Sequence, residues 1–201
     1  MIYNLLLPFA EEYALANLAR YSTFRAGAAC LTALLISLVF GSAIIRWLRG
    51  FQRGGQPIRE DGPARHIVEK KGTPTMGGVL ILLGLVGSTL LWADLRNGFV
   101  WAVLFITCGY GALGFADDWL KVSKRNTKGV SSRMKLLVQA GLGIITAIWI
   151  TWLMPGALSD KLAFPIFKEL LLPLGIFFPL LAALVMMGAS NAVNLTDGLD
   201  G

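Results

Sequence analysis

The sequence has little charge, two cysteines and a single histidine. Only 15% of its 201 residues are charged, whereas an ordinary soluble domain carries about 25%. Because 55% of the residues are hydrophobic, this composition excludes a disordered chain, a coiled coil and most soluble globular folds. Cys30 and Cys108 lie within long apolar runs, which argues against a disulfide framework, and His66 is expected to be a solvated loop residue. The GK[ST] string of a Walker phosphate loop is also missing.

Long stretches without any Asp, Glu, Lys or Arg are the main feature that is present. Five of them are 20 to 27 residues long, and they are residues 26–45, 72–93, 97–116, 136–159 and 170–196. A helix needs about 20 apolar residues to cross a hydrocarbon core of about 30 Å. The sequence therefore predicts an all-α polytopic integral membrane protein with five transmembrane helices.

The basic residues indicate how these helices are oriented. The net charge is +6, which on composition alone fits either a nucleic-acid partner or a membrane protein. Thirteen of the 18 Lys and Arg residues lie in two connections, seven between Arg46 and Lys71 and six between Lys121 and Lys135. By the positive-inside rule, the loops near 46–73 and 119–135 are cytoplasmic. Residues 1–22 then form an outer, interfacial segment before a membrane domain at 23–201, and no nucleic-acid partner is expected.

With this topology, three polar clusters fall on the cytoplasmic side, and Asp117 with Asp118 is the first. Adjacent carboxylates at a membrane boundary repel each other and are costly to desolvate, so they are candidates for function. A divalent cation or a nearby lysine such as Lys121 would relieve the repulsion. The plainer alternative is a pair that simply ends the helix in the headgroup region.

The second cluster is Asn194–Gly201. On a helix, Asn194 with Asp197 and Asp197 with Asp200 share a face, because each pair is three residues apart. Such oxygen ligands suit Mg²⁺, which usually takes one or two carboxylates together with substrate phosphates. The alternative is a polar helix end that is capped by Asp and Gly.

The third cluster runs from Lys70 to Gly78 and offers the hydroxyls of Thr73 and Thr75. Two plainer explanations stay open, since its glycines could serve helix packing and Lys70 could be an ordinary positive-inside lysine. The cations between Lys121 and Lys135 could likewise bind anionic lipid or an anionic substrate. Carboxylates for a divalent metal beside cations for phosphates favour phosphoryl transfer. A cation-binding transporter is the alternative, but it would place polar residues in mid-span of two repeated halves.

These motifs together resemble the phospho-N-acetylmuramoyl-pentapeptide transferase family. The matching strings lie in the family's order and are Tyr21–Ala26, Asp61–Pro63, Lys71–Gly78, Gly114–Asp118 with Lys121-Val122, Thr127–Gly129 and Asn191–Gly201. Related GlcNAc-1-phosphate transferases look more like Asp-Asp-x-x-Asp at the first cluster. This chain has Lys121 there and no third Asp, so that branch is only the alternative.

The resemblance implies Mg²⁺-dependent transfer of phospho-MurNAc-pentapeptide from UDP-MurNAc-pentapeptide to undecaprenyl phosphate in the bacterial inner membrane. This reaction gives lipid I and UMP for peptidoglycan synthesis, on which cell shape and division depend. Asp117 would orient or deprotonate the lipid phosphate, Asp118 would organise metal and lysine charges, and Asp197 would complete the catalytic and metal-binding set. Lys121 and Lys128 would hold phosphates.

The remaining expected roles concern the nucleotide. The resemblance implies that Asn194 and Asp200 line the nucleotide and metal region, and that Lys70 and Thr75 contact the uridine and ribose side. The family has about ten transmembrane helices, and this chain corresponds to about half of them. The family's usual metal-binding Asp lies beyond residue 201, so the chain alone is expected to be inactive. Expected partners are the two substrates, the lipid bilayer and a second copy in a homodimer.

Overall fold

The computed structural model describes residues 1–52, 75–125, 128–156, 158–164, 166–167 and 170–198. The helices in these ranges are α1 (Ile2–Leu6), α2 (Ala14–Leu18), α3 (Ser22–Phe51), α4 (Gly78–Trp92), α5 (Gly98–Ser123), α6 (Ser132–Leu153) and α7 (Phe177–Gly198). A 3₁₀ helix at Leu7–Phe9 follows α1, and a hairpin of strands β1 (Lys161–Ala163) and β2 (Leu171–Pro173) precedes α7. The predicted all-α fold of a polytopic membrane protein is confirmed.

Four helices in the described part of the chain are long and apolar enough to cross a membrane, namely α3, α5, α6 and α7 up to Thr196. The remaining predicted span, residues 72–93, contains α4, which is apolar but has only 15 residues. At 1.5 Å per residue α4 is about 23 Å long, shorter than a typical hydrocarbon core of about 30 Å. The count of five transmembrane helices therefore stays a prediction.

The helices do not end where the uncharged runs end. Helix α3 continues past Arg46 to Phe51, and α5 continues through Asp117 and Asp118 to Ser123. A helix of 26 residues such as α5 is about 39 Å long, so its charged last turns extend beyond the hydrocarbon core. Charges therefore limit the membrane-embedded part of a helix, while the helical backbone continues into water because its hydrogen bonds are internal.

The chain divides into two compact units, and the first comprises Met1–Val100 with Gly111–Val130. Within it, small residues bring α3 and α4 together, since a Cβ placed on Gly84 would lie 3.3 Å from the carbonyl oxygen of Ala33. Close approach at small residues is how membrane helices commonly pack. Near the end of α4, the indole Nε1 of Trp92 donates a hydrogen bond to Thr32 Oγ1 at 2.9 Å.

Four aromatic rings of the first unit form a continuous stack, which we call the aromatic row. Its order is Trp47, Phe51, Trp119 and Phe115, with successive ring centroids 6.2, 4.9 and 5.9 Å apart and interplanar angles of 15 to 29°. The first two rings belong to α3 and the last two to α5. The row therefore fixes the end of α3 against the end of α5 that carries Asp117 and Asp118.

The second unit comprises Trp101–Tyr110 with Ser131–Gly201. Helices α6 and α7 pack closely at Gly143, where a Cβ would lie 3.1 Å from both Cα and Cβ of Ala183. The hairpin is antiparallel, and Leu162 pairs with Leu172 at its centre. Residues 171–173 form a strand and not a helix, so α7 begins later than the uncharged run that starts at residue 170.

Candidate functional site

The two adjacent carboxylates on α5 share one ammonium group. Lys121 Nζ lies 2.7 Å from Asp117 Oδ2 and 3.2 Å from Asp118 Oδ1. This is possible because Lys121 follows Asp117 by four residues and Asp118 by three, the two spacings at which helical side chains meet. The lysine thus compensates part of the repulsion between the two negative charges. The side chain of Asp117 is 9% exposed and that of Asp118 is 29% exposed, so Asp118 is the more accessible.

Thr75 brings a hydroxyl to the same cluster from a distant part of the sequence. Its Oγ1 donates a hydrogen bond to Asp118 Oδ2 at 2.6 Å, across 43 positions of the chain. Hydrogen bonds to a charged acceptor are short and about twice as strong as neutral ones. The hydroxyl therefore fixes the carboxylate oxygen that Lys121 does not contact.

The connection between α5 and α6 covers Asp117. The backbone N–H of Val130 donates to Asp117 Oδ1 at 2.8 Å. A Cβ on Gly129 would overlap that oxygen and would lie 2.7 Å from Asp117 Cγ. Glycine is thus the residue that lets the backbone approach the carboxylate this closely. Each of the four carboxylate oxygens of Asp117 and Asp118 consequently has a donor within hydrogen-bonding distance.

Helix α7, in the other unit, carries the described part of the second predicted cluster, residues 194–198. Asn194 is exposed on α7, and Asp197 belongs to the same helix. One turn earlier, Asn191 Nδ2 donates at 2.8 Å to Oε1 of Gln139 on α6, and the backbone oxygen of Gln139 accepts a hydrogen bond from Tyr110 Oη at 3.1 Å. This polar contact joins α6 to α7 one turn before Asn194.

The other predicted site residues lie outside this cluster or outside the described part of the chain. Lys128 is described and exposed, directly before Gly129. Lys70 and Asp200 lie outside the described residues, as does His66. The structure therefore brings Thr75, Asp117, Asp118 and Lys121 together, while the roles expected of the whole set stay predictions.

Two buried glutamines were not singled out by sequence reasoning. Gln52 holds the backbone of Thr75, and Gln139 pairs with Asn191. Gln139 gives a signal that could have been used, because it is a polar side chain inside an otherwise apolar run. Gln52 follows the last turn of α3 in a polar connection, and nothing in its local sequence points to Thr75.

The described side chains do not by themselves fit a Mg²⁺ site. Within the described ranges, no group of three or more His, Cys, Asp or Glu side chains could hold a metal ion. Asp117 and Asp118 supply the hard oxygens that Mg²⁺ prefers, but the Lys121 ammonium is bound to both carboxylates and would repel a divalent cation there. The expected metal roles of Asp117, Asp118 and Asp197 therefore stay predictions.

Fold and site together define a multi-pass membrane protein with a partly buried carboxylate–lysine cluster at the end of a membrane helix. The model of glycosyl transferase family 4 matches residues 100–201, which include Asp117, Asp118 and all of α6 and α7. The chain belongs to glycosyl transferase family 4. Residues 70–82, which include Thr75, match the phospho-N-acetylmuramoyl-pentapeptide-transferase signature 1.

Curated relatives match the whole chain. The phospho-N-acetylmuramoyl-pentapeptide-transferases of Granulibacter bethesdensis, Gluconacetobacter diazotrophicus and Gluconobacter oxydans are 65%, 58% and 54% identical to it. Each alignment covers 100% of this chain and 56% of the relative. The resemblance seen in the sequence motifs is thereby confirmed, and the chain spans about half the length of the curated relatives it matches.

Proposed function

We propose that the whole protein transfers phospho-MurNAc-pentapeptide from UDP-MurNAc-pentapeptide to undecaprenyl phosphate and releases UMP, giving lipid I. The observation that carries this proposal is the hydrogen bond between Thr75 and Asp118, because it joins the matched signature to the carboxylate pair in the family region. The names of the curated relatives support the same reaction.

The chemistry asks for a site that accepts anions and organises charge. In the transfer, an oxygen of the lipid phosphate forms a bond to the sugar-linked phosphorus, and the bond from that phosphorus to UMP breaks. Asp117 is proposed to orient the lipid phosphate or to accept its proton. Asp118 is proposed to hold Lys121 in place. Catalysis of this kind depends mostly on positioning and charge neutralisation.

The other expected roles belong to the same proposal. Lys121 and Lys128 are proposed to hold phosphates, Lys70 and Thr75 to contact the uridine and ribose side, and Asn194, Asp197 and Asp200 to line the nucleotide region. The Thr75 hydroxyl already donates its one hydrogen to Asp118, so in this role it would act as a hydrogen-bond acceptor. Mg²⁺ is proposed as the cofactor of the whole protein.

Location and assembly are proposed on the sequence pattern. The protein is proposed to lie in the bacterial inner membrane with its N-terminal segment outside, its active site on the cytoplasmic side and residues 23–201 in one membrane domain. A homodimer is proposed as its assembly. The positive-inside distribution of Lys and Arg supports the orientation.

The test is the substitution Asp117→Asn in the full-length protein. We expect it to abolish UMP release from UDP-MurNAc-pentapeptide in the presence of Mg²⁺ and undecaprenyl phosphate, because an amide keeps the size of the carboxyl group but loses its charge and basicity. Asp160→Asn, a carboxylate in the connection before the hairpin, serves as the control and should leave the rate unchanged.

Two outcomes would contradict the proposal. Activity of Asp117→Asn within a few-fold of the unsubstituted protein would remove the role given to that carboxylate. Release of UMP from UDP-GlcNAc in preference to UDP-MurNAc-pentapeptide would instead favour the GlcNAc-1-phosphate branch.

A further inference from the structure

We propose that Gln52 is a positioning residue for the reaction, acting through Thr75 on Asp118. This inference rests on the function proposed above. Gln52 is the residue directly after α3, and it is only 3% exposed. It lies outside both matched family regions, which begin at residues 70 and 100.

The side-chain amide of Gln52 clamps the backbone of Thr75 with two hydrogen bonds. Nε2 donates to the carbonyl oxygen of Thr75 at 3.0 Å, and Oε1 accepts from the N–H of Thr75 at 2.8 Å. A side-chain amide carries a donor and an acceptor side by side at every pH, which suits such a two-bond contact. The clamp therefore fixes both the position and the orientation of the Thr75 peptide groups.

The Thr75 hydroxyl connects this fixed backbone to the carboxylate–lysine cluster, because it donates a hydrogen bond to Asp118. Gln52 holds the Thr75 backbone at both its N–H and its C=O. This fixes the position from which the Thr75 side chain extends, and its Oγ1 donates to Asp118 Oδ2 at 2.6 Å. Asp118 in turn holds Lys121 at 3.2 Å. A supporting shell of this kind is what keeps reactive groups within the narrow geometry that catalysis needs.

Gln52 is itself anchored to α5 by its neighbour. Phe51 stacks on Trp119 with centroids 4.9 Å apart and an interplanar angle of 21°, and Trp119 directly follows Asp118. The N–H of Gln52 donates to the carbonyl oxygen of Leu48 at 2.9 Å, which closes the last turn of α3. The clamp is thus built on two helices that are already joined.

The backbone after Thr75 requires such support. Met76 has a φ of +70°, a left-handed conformation that residues other than glycine rarely adopt. Strained backbone of this type persists only where the surrounding structure holds it in place. The clamp on Thr75 acts on the peptide group that joins Thr75 to Met76, and so it helps hold this turn.

The experiment is a double-mutant cycle in the full-length protein. Gln52→Leu, Thr75→Val and the double variant are compared by UMP release from UDP-MurNAc-pentapeptide. We expect Gln52→Leu to lower kcat by about 10- to 100-fold, the loss typical of a displaced supporting residue, with a smaller change in KM. The double variant should lose no more than the worse single variant, because Gln52 acts through Thr75.

Gln139→Leu is the matched control for the cycle. Gln139 is the other buried glutamine in the described residues, 6% exposed, and its amide contacts Asn191 and not Thr75. In the double variant of Gln139→Leu and Thr75→Val, the fold-loss in kcat should equal the product of the two single fold-losses, as it does for independent sites. If the double variant of Gln52→Leu and Thr75→Val also showed such a product, Gln52 and Thr75 would act independently and the inference would be overturned.

A pH profile separates positioning from loss of fold. Gln52→Glu keeps the shape of the side chain, but its ionised carboxylate cannot donate to the Thr75 carbonyl, whereas its protonated form can. We expect its activity relative to the unsubstituted protein to rise as pH falls, and a ratio that stays low at every pH would overturn the inference even if Gln52→Leu fails to fold. If the unsubstituted protein releases no UMP at all, the proposed function fails instead.

Discussion

At the scale of single residues, position 129 requires glycine, because its backbone lies too close to Asp117 to leave room for a Cβ. The backbone oxygen of Asp117 would lie 3.0 Å from a Cβ on Gly129, and the carboxylate would overlap it. We expect Gly129→Ala to displace either the connection or the carboxylate and to lower the rate of UMP release by about 10- to 100-fold. The same assay on the full-length protein measures it.

The control for this prediction is Gly141→Ala. A Cβ on Gly141 would meet nothing within 4 Å, and alanine is about 0.5–1 kcal/mol better than glycine inside a helix. This variant should keep its activity. Equal activity of the Gly129 and Gly141 variants would show that the close approach does not matter for the reaction.

The cluster could be predicted only in part from the sequence. Lys121 was accessible to prediction, because spacings of three and four residues on one helix determine which side chains meet. The partners of Asp117 and Asp118 from other segments were not, since Thr75 and Val130 reach them by the course of the chain between helices. Every residue except proline has a backbone N–H, so the identity of Val130 does not indicate that its N–H donates to Asp117.

At the scale of helices, the packing of α6 on α7 depends on Gly143. A Cβ there would lie 3.1 Å from the Cα of Ala183, and a backbone atom cannot move aside as a flexible side chain can. We expect Gly143→Ala to cost about 1–3 kcal/mol, as overpacking does, and to lower the thermal unfolding midpoint of the detergent-solubilised protein.

Gly141→Ala again provides the comparison, since it lies two residues away on the same helix with open space around it. Its midpoint should be unchanged or slightly raised. If both variants unfolded at the same temperature, the close approach of α6 and α7 would not limit stability.

The helices themselves were largely predictable, but their ends were not. Long uncharged runs indicate membrane helices because charged side chains are costly in hydrocarbon. They do not show where a helix stops, and α5 continues beyond its uncharged run to include Asp117 and Lys121. The run from residue 170 to 196 includes the strand Leu171–Pro173, where pairing with β1 replaces the helix. Hydropathy counts apolar residues and carries no information on this pairing.

At the scale of the whole molecule, the positive-inside distribution makes a prediction about membrane sidedness. In a chain whose Cys30 and Cys108 are replaced by alanine, Asp61→Cys and Asn126→Cys should not react with an impermeant thiol reagent added from outside. Both positions belong to the two basic connections, which are proposed to be cytoplasmic. Labelling of intact cells, followed by gel analysis, measures the reaction.

The positive control is Arg96→Cys. Arg96 is exposed in the short connection between α4 and α5 and should react from outside. Reaction at Asp61→Cys and Asn126→Cys but not at Arg96→Cys would invert the proposed topology.

The aromatic row has a spectroscopic consequence. Trp119 stacks on Phe51 with ring centroids 4.9 Å apart and follows Asp118 in the chain, so it is a natural fluorophore on the turn of α5 that carries the carboxylate–lysine cluster. Indole fluorescence responds to the charges and packing around the ring. The difference in emission between the protein and its Trp119→Phe variant therefore gives the fluorescence of Trp119 among the six tryptophans. Movement at the end of α5 is thus open to optical detection in the native chain.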